Sequence, residues 1–138
     1  VGDITHLSQQ YTKLTGAVHP RVRLDRVEDG GCVLFHEDRM ELRILCTYAG
    51  PGMQWVANAD IDRAQLGLQG RTPAQANAAM VRDPNRIRSV PTGHVAAFKG
   101  ALHPQNNVGA LIHRSAPVSG LNEYRIRLTI DDTSECGC

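Results

Sequence analysis

His36 and Asp38 stand two residues apart in "HED", between the apolar runs "CVLF" and "MELRILC". On an extended backbone, side chains two residues apart lie on one face. A neutral imidazole and a carboxylate so placed supply two of the three ligands of a facial metal triad, which leaves other coordination positions open. A polar turn between two strands also uses Asp and His. A metal centre needs a second imidazole to join the pair.

The chain has six histidines. His6 lies on an early amphipathic segment and His19 precedes Pro20. His94 follows Gly93 at a turn, and His103 sits among Pro104 and Asn106. His113 is the candidate, because it ends the apolar run of "GALIHRSAPV" after Leu111 and Ile112. Downstream, "EYRIRLTID" alternates: Tyr124, Ile126, Leu128 and Ile130 fall on one face, with Arg125, Arg127 and Thr129 on the other. A wet sheet face carries arginines at no cost. An inward-facing arginine needs an anion, and its planar fork grips a carboxylate bidentately.

These residues need elements to hold them. "DITHLSQQYTKL" sets Ile4, Leu7, Tyr11 and Leu14 on one helical stripe, with Asp3 as cap and Gly16 as stop. Strands are expected at 22–26, 32–35 and 40–49, and again within "HVAAFKG", "ALIHRSAPV" and "YRIRLTID". Thr72-Pro73-Ala74-Gln75 opens a helix with a capping box and runs to about Arg82, stopping before Asp83-Pro84. Residues 54–70 read as irregular chain over the domain, where Tyr48, Gln54 and Trp55 could border a site or, for Trp55, pack as core. Short strands and Gly/Pro turns with flanking helices predict a mainly β, α+β domain: an antiparallel sandwich or barrel.

Composition narrows the function. With 138 residues the chain suits one domain, 1–138. Fifteen basic and 14 acidic residues are spread along it, so neither nucleic acid nor an anionic membrane is an expected partner. No apolar run reaches the length of a membrane span. The sequence begins at Val1, so a fragment of a longer chain is allowed for, and cytoplasmic location is the default expectation. Cys32 and Cys46 lie in apolar runs as small core residues. Cys136 and Cys138 form a tail that either binds a soft metal or frays.

In order, the motifs resemble the Fe(II)/2-oxoglutarate-dependent dioxygenases: "HED", then the Gly-led "PTGHVAAFKG", then "HRSAPV" and "YRIRLTI". That resemblance implies a double-stranded β-helix, a jelly-roll or cupin-like barrel. It implies Fe(II) held by His36, Asp38 and His113, with Arg125 as the 2-oxoglutarate clamp and His94 where an Asp is frequent. Arg127, on the same face, and Arg114, beside His113, are alternative clamps. The sequence also looks like a bacterial family known as domain of unknown function 1826, through "DRVEDGGCVLFHEDRMELRILCTYAGPG", "GHVAAFKG" and "HRSAPV". Some members of that family are encoded near zinc-homeostasis genes. The competing expectation is therefore a non-enzymatic Zn(II)-binding β-barrel built on the same three ligands. The expected partner is a small-molecule substrate or one of unknown class.

Overall fold

The structure, a computed structural model, describes residues 2–118 and 123–132. In chain order its main elements are α1 (Gly2–Thr15), β1 (Arg21–Val27), β2 (Leu42–Ala49) and β3 (Gln54–Val56). Then come α2 (Pro73–Met80), β4 (Arg88–Ser89), β5 (Val95–Lys99), β6 (Ile112–Arg114) and β7 (Arg125–Asp131). The strands form two antiparallel sheets, ordered β1-β7-β2-β5 and β4-β3-β6.

Alternation along each strand stacks the layers. On the outer face of the larger sheet, Ile44, Cys46, Leu128 and Ile130 pack against Leu7 and Tyr11 of α1. The inner face turns Leu45 and Phe98 toward Met53 and Trp55 of the smaller sheet. Behind that sheet, Val56 and Ile112 pack on Ala76 and Met80 of α2. The order is thus α1, larger sheet, smaller sheet, α2. The sheets are covered on both sides where β2 and β7 lie, which explains why buried residues follow one another along those two strands.

The α+β class and both helices match the sequence reading. Thr72 and Gln75 complete the capping box, with Pro73 at the start of α2. The helix ends at Met80, two residues before the expected stop. Gly16 leaves α1 with φ +73° and donates to the Thr12 carbonyl, a left-handed exit that glycine adopts without strain. Asp3 is a first-turn residue rather than a cap, and its carboxylate accepts from the Tyr48 hydroxyl. Leu14 is exposed, so the buried stripe of α1 is Leu7 and Tyr11.

Three expectations are corrected. Residues 32–35 are not a strand: the Asn77 side chain, instead of a neighbouring strand, satisfies the Val33 carbonyl (2.9 Å) and the Phe35 N–H (2.8 Å). Residues 54–70 are not simply loop, since β3 forms the centre of the smaller sheet before two short 3-10 turns. The described strands also do not close into a barrel. The sheets face each other, but their ladders end at β1 and β5 on one and at β4 and β6 on the other.

Candidate metal centre

His36 lies outside any strand, yet its backbone is the most firmly placed part of its segment. His36 and His113 exchange both main-chain hydrogen bonds at 3.0 Å, an isolated antiparallel bridge onto β6. Residues paired this way project their side chains to the same face. The two imidazoles accordingly sit side by side, with centroids 4.6 Å apart and planes tilted by 52°. Phe98 closes the other side of His113, with ring centroids at 4.7 Å. Asp38 is anchored through its backbone: its carbonyl accepts from Ala101 at 2.8 Å. Gly100 lies so close that a Cβ there would stand 2.1 Å from the Met40 carbonyl oxygen and 2.8 Å from that of Asp38.

The three side chains converge. Asp38 Oδ1 is 3.4 Å from His36 Nε2, and Oδ2 is 3.3 Å from His113 Nε2. One ligand atom from each residue lies within 4.8 Å of the others. Donors sharing an ion at about 2 Å each sit roughly 3–4 Å apart, so a modest closing of the trio would let all three share one ion.

The ring tautomers point the same way. Nδ1 of His36 faces the Leu34 carbonyl at 2.7 Å, and Nδ1 of His113 faces the Leu111 carbonyl at 3.2 Å. A carbonyl only accepts, so each Nδ1 carries the proton. A neutral ring then aims a bare Nε2 lone pair at an anionic carboxylate. Only a proton or a metal between them makes that arrangement favourable, and a backbone acceptor on the far nitrogen is the usual support of a ligating histidine. Asp38 is 1 % exposed, and its Oδ1 accepts no hydrogen bond. Burial pushes its carboxyl up. With a proton on each Nε2 in place of a metal, hydrogen bonds from His113 and His36 and the charges of His113 and Arg43 outweigh this and hold it well below the usual carboxylate range. The donor set fits a divalent ion with oxygen and nitrogen preference.

The sequence reading missed Arg43. This buried residue donates from Nη1 to Asp38 Oδ2 at 2.5 Å, and from Nε and Nη2 to Asp131 Oδ2 at 3.0 and 2.7 Å. Asp131 also pairs with Arg21 at 2.8 Å and Arg23 at 3.4 Å. An arginine in the apolar run "MELRILC" is the signal that could have revealed it.

A cavity of about 200 Å³ opens beside the imidazoles, lined by His36, His113, Arg23, Arg43, Arg114, Arg125, Arg127 and Thr129 among others. The expected register of β7 holds: Leu128 and Ile130 face α1 while Arg125, Arg127 and Thr129 line the cavity. Arg125 is 3 % exposed and donates to the carbonyls of Ala116 (2.7 Å) and Gly30. Burial, then neighbouring Arg127, pulls its pKa down, against smaller opposing effects of Asp29 and Glu123. Arg127 lies 3.9 Å from Asp25. Arg114 donates to Gln54 at 2.9 Å and covers the Phe35 ring. Among the described residues, the buried side-chain polar atoms without a hydrogen bond are Nε of Arg23, Arg125 and Arg127, Thr129 Oγ1 and Asp38 Oδ1. All belong to this cavity or to the triad on its wall.

The other candidates lie elsewhere. His6, His19 and His94 are exposed, and His103 receives a backbone bond from Gln105. Tyr48 is turned to α1, and Trp55 packs in the inter-sheet core under Arg88. Cys46 is buried against α1 as expected. Cys32 Sγ is 3.5 Å from His36 Nδ1. Cys136 and Cys138 lie outside the described residues.

An α+β fold of two facing antiparallel sheets, with a His-Asp-His group on the wall of an arginine-lined cavity, defines a candidate metal-binding protein. The family model "Protein of unknown function (DUF1826)" matches residues 1–131, and the chain belongs to that family. No curated protein matches the chain, and no solved structure does. No helix among the described residues is long and apolar enough to cross a membrane.

Proposed function

We propose that the chain is an Fe(II)- and 2-oxoglutarate-dependent oxygenase of a small-molecule substrate, with His36, Asp38 and His113 as metal ligands. The two facing sheets are read as an abbreviated double-stranded β-helix that brackets the metal. The supporting observation is that three lone-pair donors converge beside a cavity on which the Nε atoms of Arg23, Arg125 and Arg127 make no hydrogen bond. The iron, with the keto acid and O2, supplies the oxidising chemistry. The residues of the chain do the rest. Leu34 and Leu111 carbonyls orient the imidazoles, and Arg43 holds Oδ2 of Asp38 so that Oδ1 is left for the ion.

The register of β7 ranks the possible anion clamps. Asp131, bonded to Arg43, marks the metal end; Thr129, Arg127 and Arg125 follow at two-residue steps of about 7 Å. Along the strand Arg127 and Thr129 stand nearer Asp131 and each keeps an unpaired donor, whereas Arg125 keeps only Nε because its other two nitrogens already serve backbone carbonyls. The distal carboxylate of 2-oxoglutarate is therefore assigned to Arg127 with Thr129. Cys32 and Cys46 are unpaired, which suits a cytoplasmic setting.

The second reading is a zinc-binding protein without catalysis. Two imidazoles and a carboxylate are also a zinc set, and the Cys32 thiol beside His36 adds a soft neighbour. Anaerobic calorimetry separates the two. The native protein should bind one Fe(II) or Zn(II), His113→Ala should bind none, and the loaded native protein should then bind 2-oxoglutarate. Arg127→Ala should weaken the keto acid roughly 30-fold or more, the loss of a desolvated charge pair. A loaded metal without keto-acid binding supports the zinc reading; full metal binding by His113→Ala ends both.

A further inference from the structure

We infer that the cavity seats two anionic groups at once: the keto-acid carboxylate at Arg127 and Thr129, and a carboxylate or phosphate of the substrate itself at Arg125 and Ser115. The second seat stands on its own geometry; its assignment to the substrate rests on the oxygenase reading.

Arg125 and Thr129 are four residues apart on one strand, about 13 Å of extended backbone, so one small carboxylate cannot serve both. The Arg125 end is built as a seat. Arg125 is 3 % exposed and its guanidinium is aimed by the Ala116 and Gly30 carbonyls, while its Nε–H has no partner. Gly31 supplies the space. It has φ +66°, and a Cβ there would stand 2.7 Å from Ser115 Oγ and 3.7 Å from Arg125 Nη2. Any larger residue would fill the hollow between a hydroxyl donor and a guanidinium. Ser115 is itself placed by its N–H bond to the Cys32 carbonyl at 2.8 Å.

Charge balance gives the class of ligand. Arg23, Arg43, Arg114, Arg125 and Arg127 line the cavity. The carboxylates that pair with them are Asp25, Asp38 and Asp131. A divalent ion and a keto-acid dianion cancel each other, and none of these ion pairs includes Arg114 or Arg125, whose neighbours Asp29 and Glu123 weigh less on Arg125 than its burial does. The buried Arg125 guanidinium calls for an anion, and a phosphate monoester carries about −1.5 to −2 at neutral pH.

The test uses Zn(II)-loaded protein, which binds without turning over, and metal-free protein as a control for phosphate on the ion. Inorganic phosphate, and separately acetate, are titrated with and without saturating 2-oxoglutarate. With saturating 2-oxoglutarate in place, one phosphate should still bind. Arg125→Gln and Ser115→Ala should each weaken phosphate by roughly tenfold, the loss of a charge-assisted bond, and leave the keto acid unchanged. Arg127→Gln should do the reverse. Because Arg125 also ties down two backbone carbonyls, Ser115→Ala carries the test if the first variant does not fold. Tighter phosphate than acetate marks a phosphorylated substrate; the opposite order marks a carboxylic acid. Loss of all phosphate binding at saturating 2-oxoglutarate, or phosphate binding unaffected by Ser115→Ala under that condition, overturns the second seat. Phosphate bound at Arg125 with no keto-acid binding keeps the seat and removes the oxygenase reading.

Discussion

Replacing Arg43 by methionine tests whether the metal centre is held from behind. Methionine keeps the length of the chain and fills irregular core space, so the variant removes charge with little change of volume. Arg43 bridges two fully buried carboxylates, Asp38 and Asp131. Asp131 keeps Arg21 at 2.8 Å and Arg23 at 3.4 Å. Asp38 keeps only the imidazoles, so it is the carboxylate left exposed to the full cost of burial. Leaving one partner of a buried pair uncompensated costs about 3–5 kcal/mol. For a domain of this size, one kcal/mol moves Tm by roughly 3–5 °C. The metal-free variant should therefore melt about 10–20 °C below the native protein. Zn(II) should return part of that loss, because a divalent ion on Oδ1 replaces the missing positive charge at Asp38. Arg43→Lys should fall between the two, since one ammonium cannot bridge both carboxylates as the fork does. Melts followed by circular dichroism, with and without Zn(II), give the answer. A drop below about 3 °C, or a drop that Zn(II) leaves untouched, would refute the bridging role.

Two further outcomes are expected. Gly100→Ala should destabilise the fold by about 1–3 kcal/mol, the range for overpacking, because its Cβ meets the Met40 and Asp38 carbonyls. By displacing Asp38 it should also weaken Zn(II) binding roughly tenfold or more, as loss of support for a ligand does; competition with a chromophoric chelator measures this. Tyr11 is fully buried, and burial, reinforced by the charges of Asp132, Asp131 and Glu41, pushes its phenol up to about 12. A raised folded-state pKa contributes stability that is complete below the ordinary value near 10 and is lost as pH rises through about 12. Melts between these pH values should fall more steeply for the native protein than for Tyr11→Phe, and equal slopes would contradict the reasoning.

How much of this was readable from the sequence depends on how far apart the partners lie. The α2 start needed only Thr72, Pro73 and Gln75, all within one turn, and it formed as written. His36, Asp38 and His113 were readable as donor types at suggestive positions, and the structure brings them together. The strand expected at residues 32–35 does not form, because Asn77, 42 residues from Phe35, satisfies the backbone that a strand partner was expected to take. Period-two alternation told which residues of β7 share a face, but not which face turns inward. That depended on α1 covering Leu128 and Ile130.

By itself, then, the sequence determined the α+β class, the two helices, the donor set and the grouping of Arg125, Arg127 and Thr129 on one face. Each follows from steric and hydrogen-bonding rules acting within a few residues. The tertiary structure alone decided that the sheets stay open at their edges, that Arg43 links Asp38 to a carboxylate 88 residues away, and that five guanidinium groups share one cavity. Those outcomes depend on which remote strands pair and in which register. A shift of one residue would turn the arginines out and the apolar residues in, and the long-range packing that prevents it is carried by no local pattern.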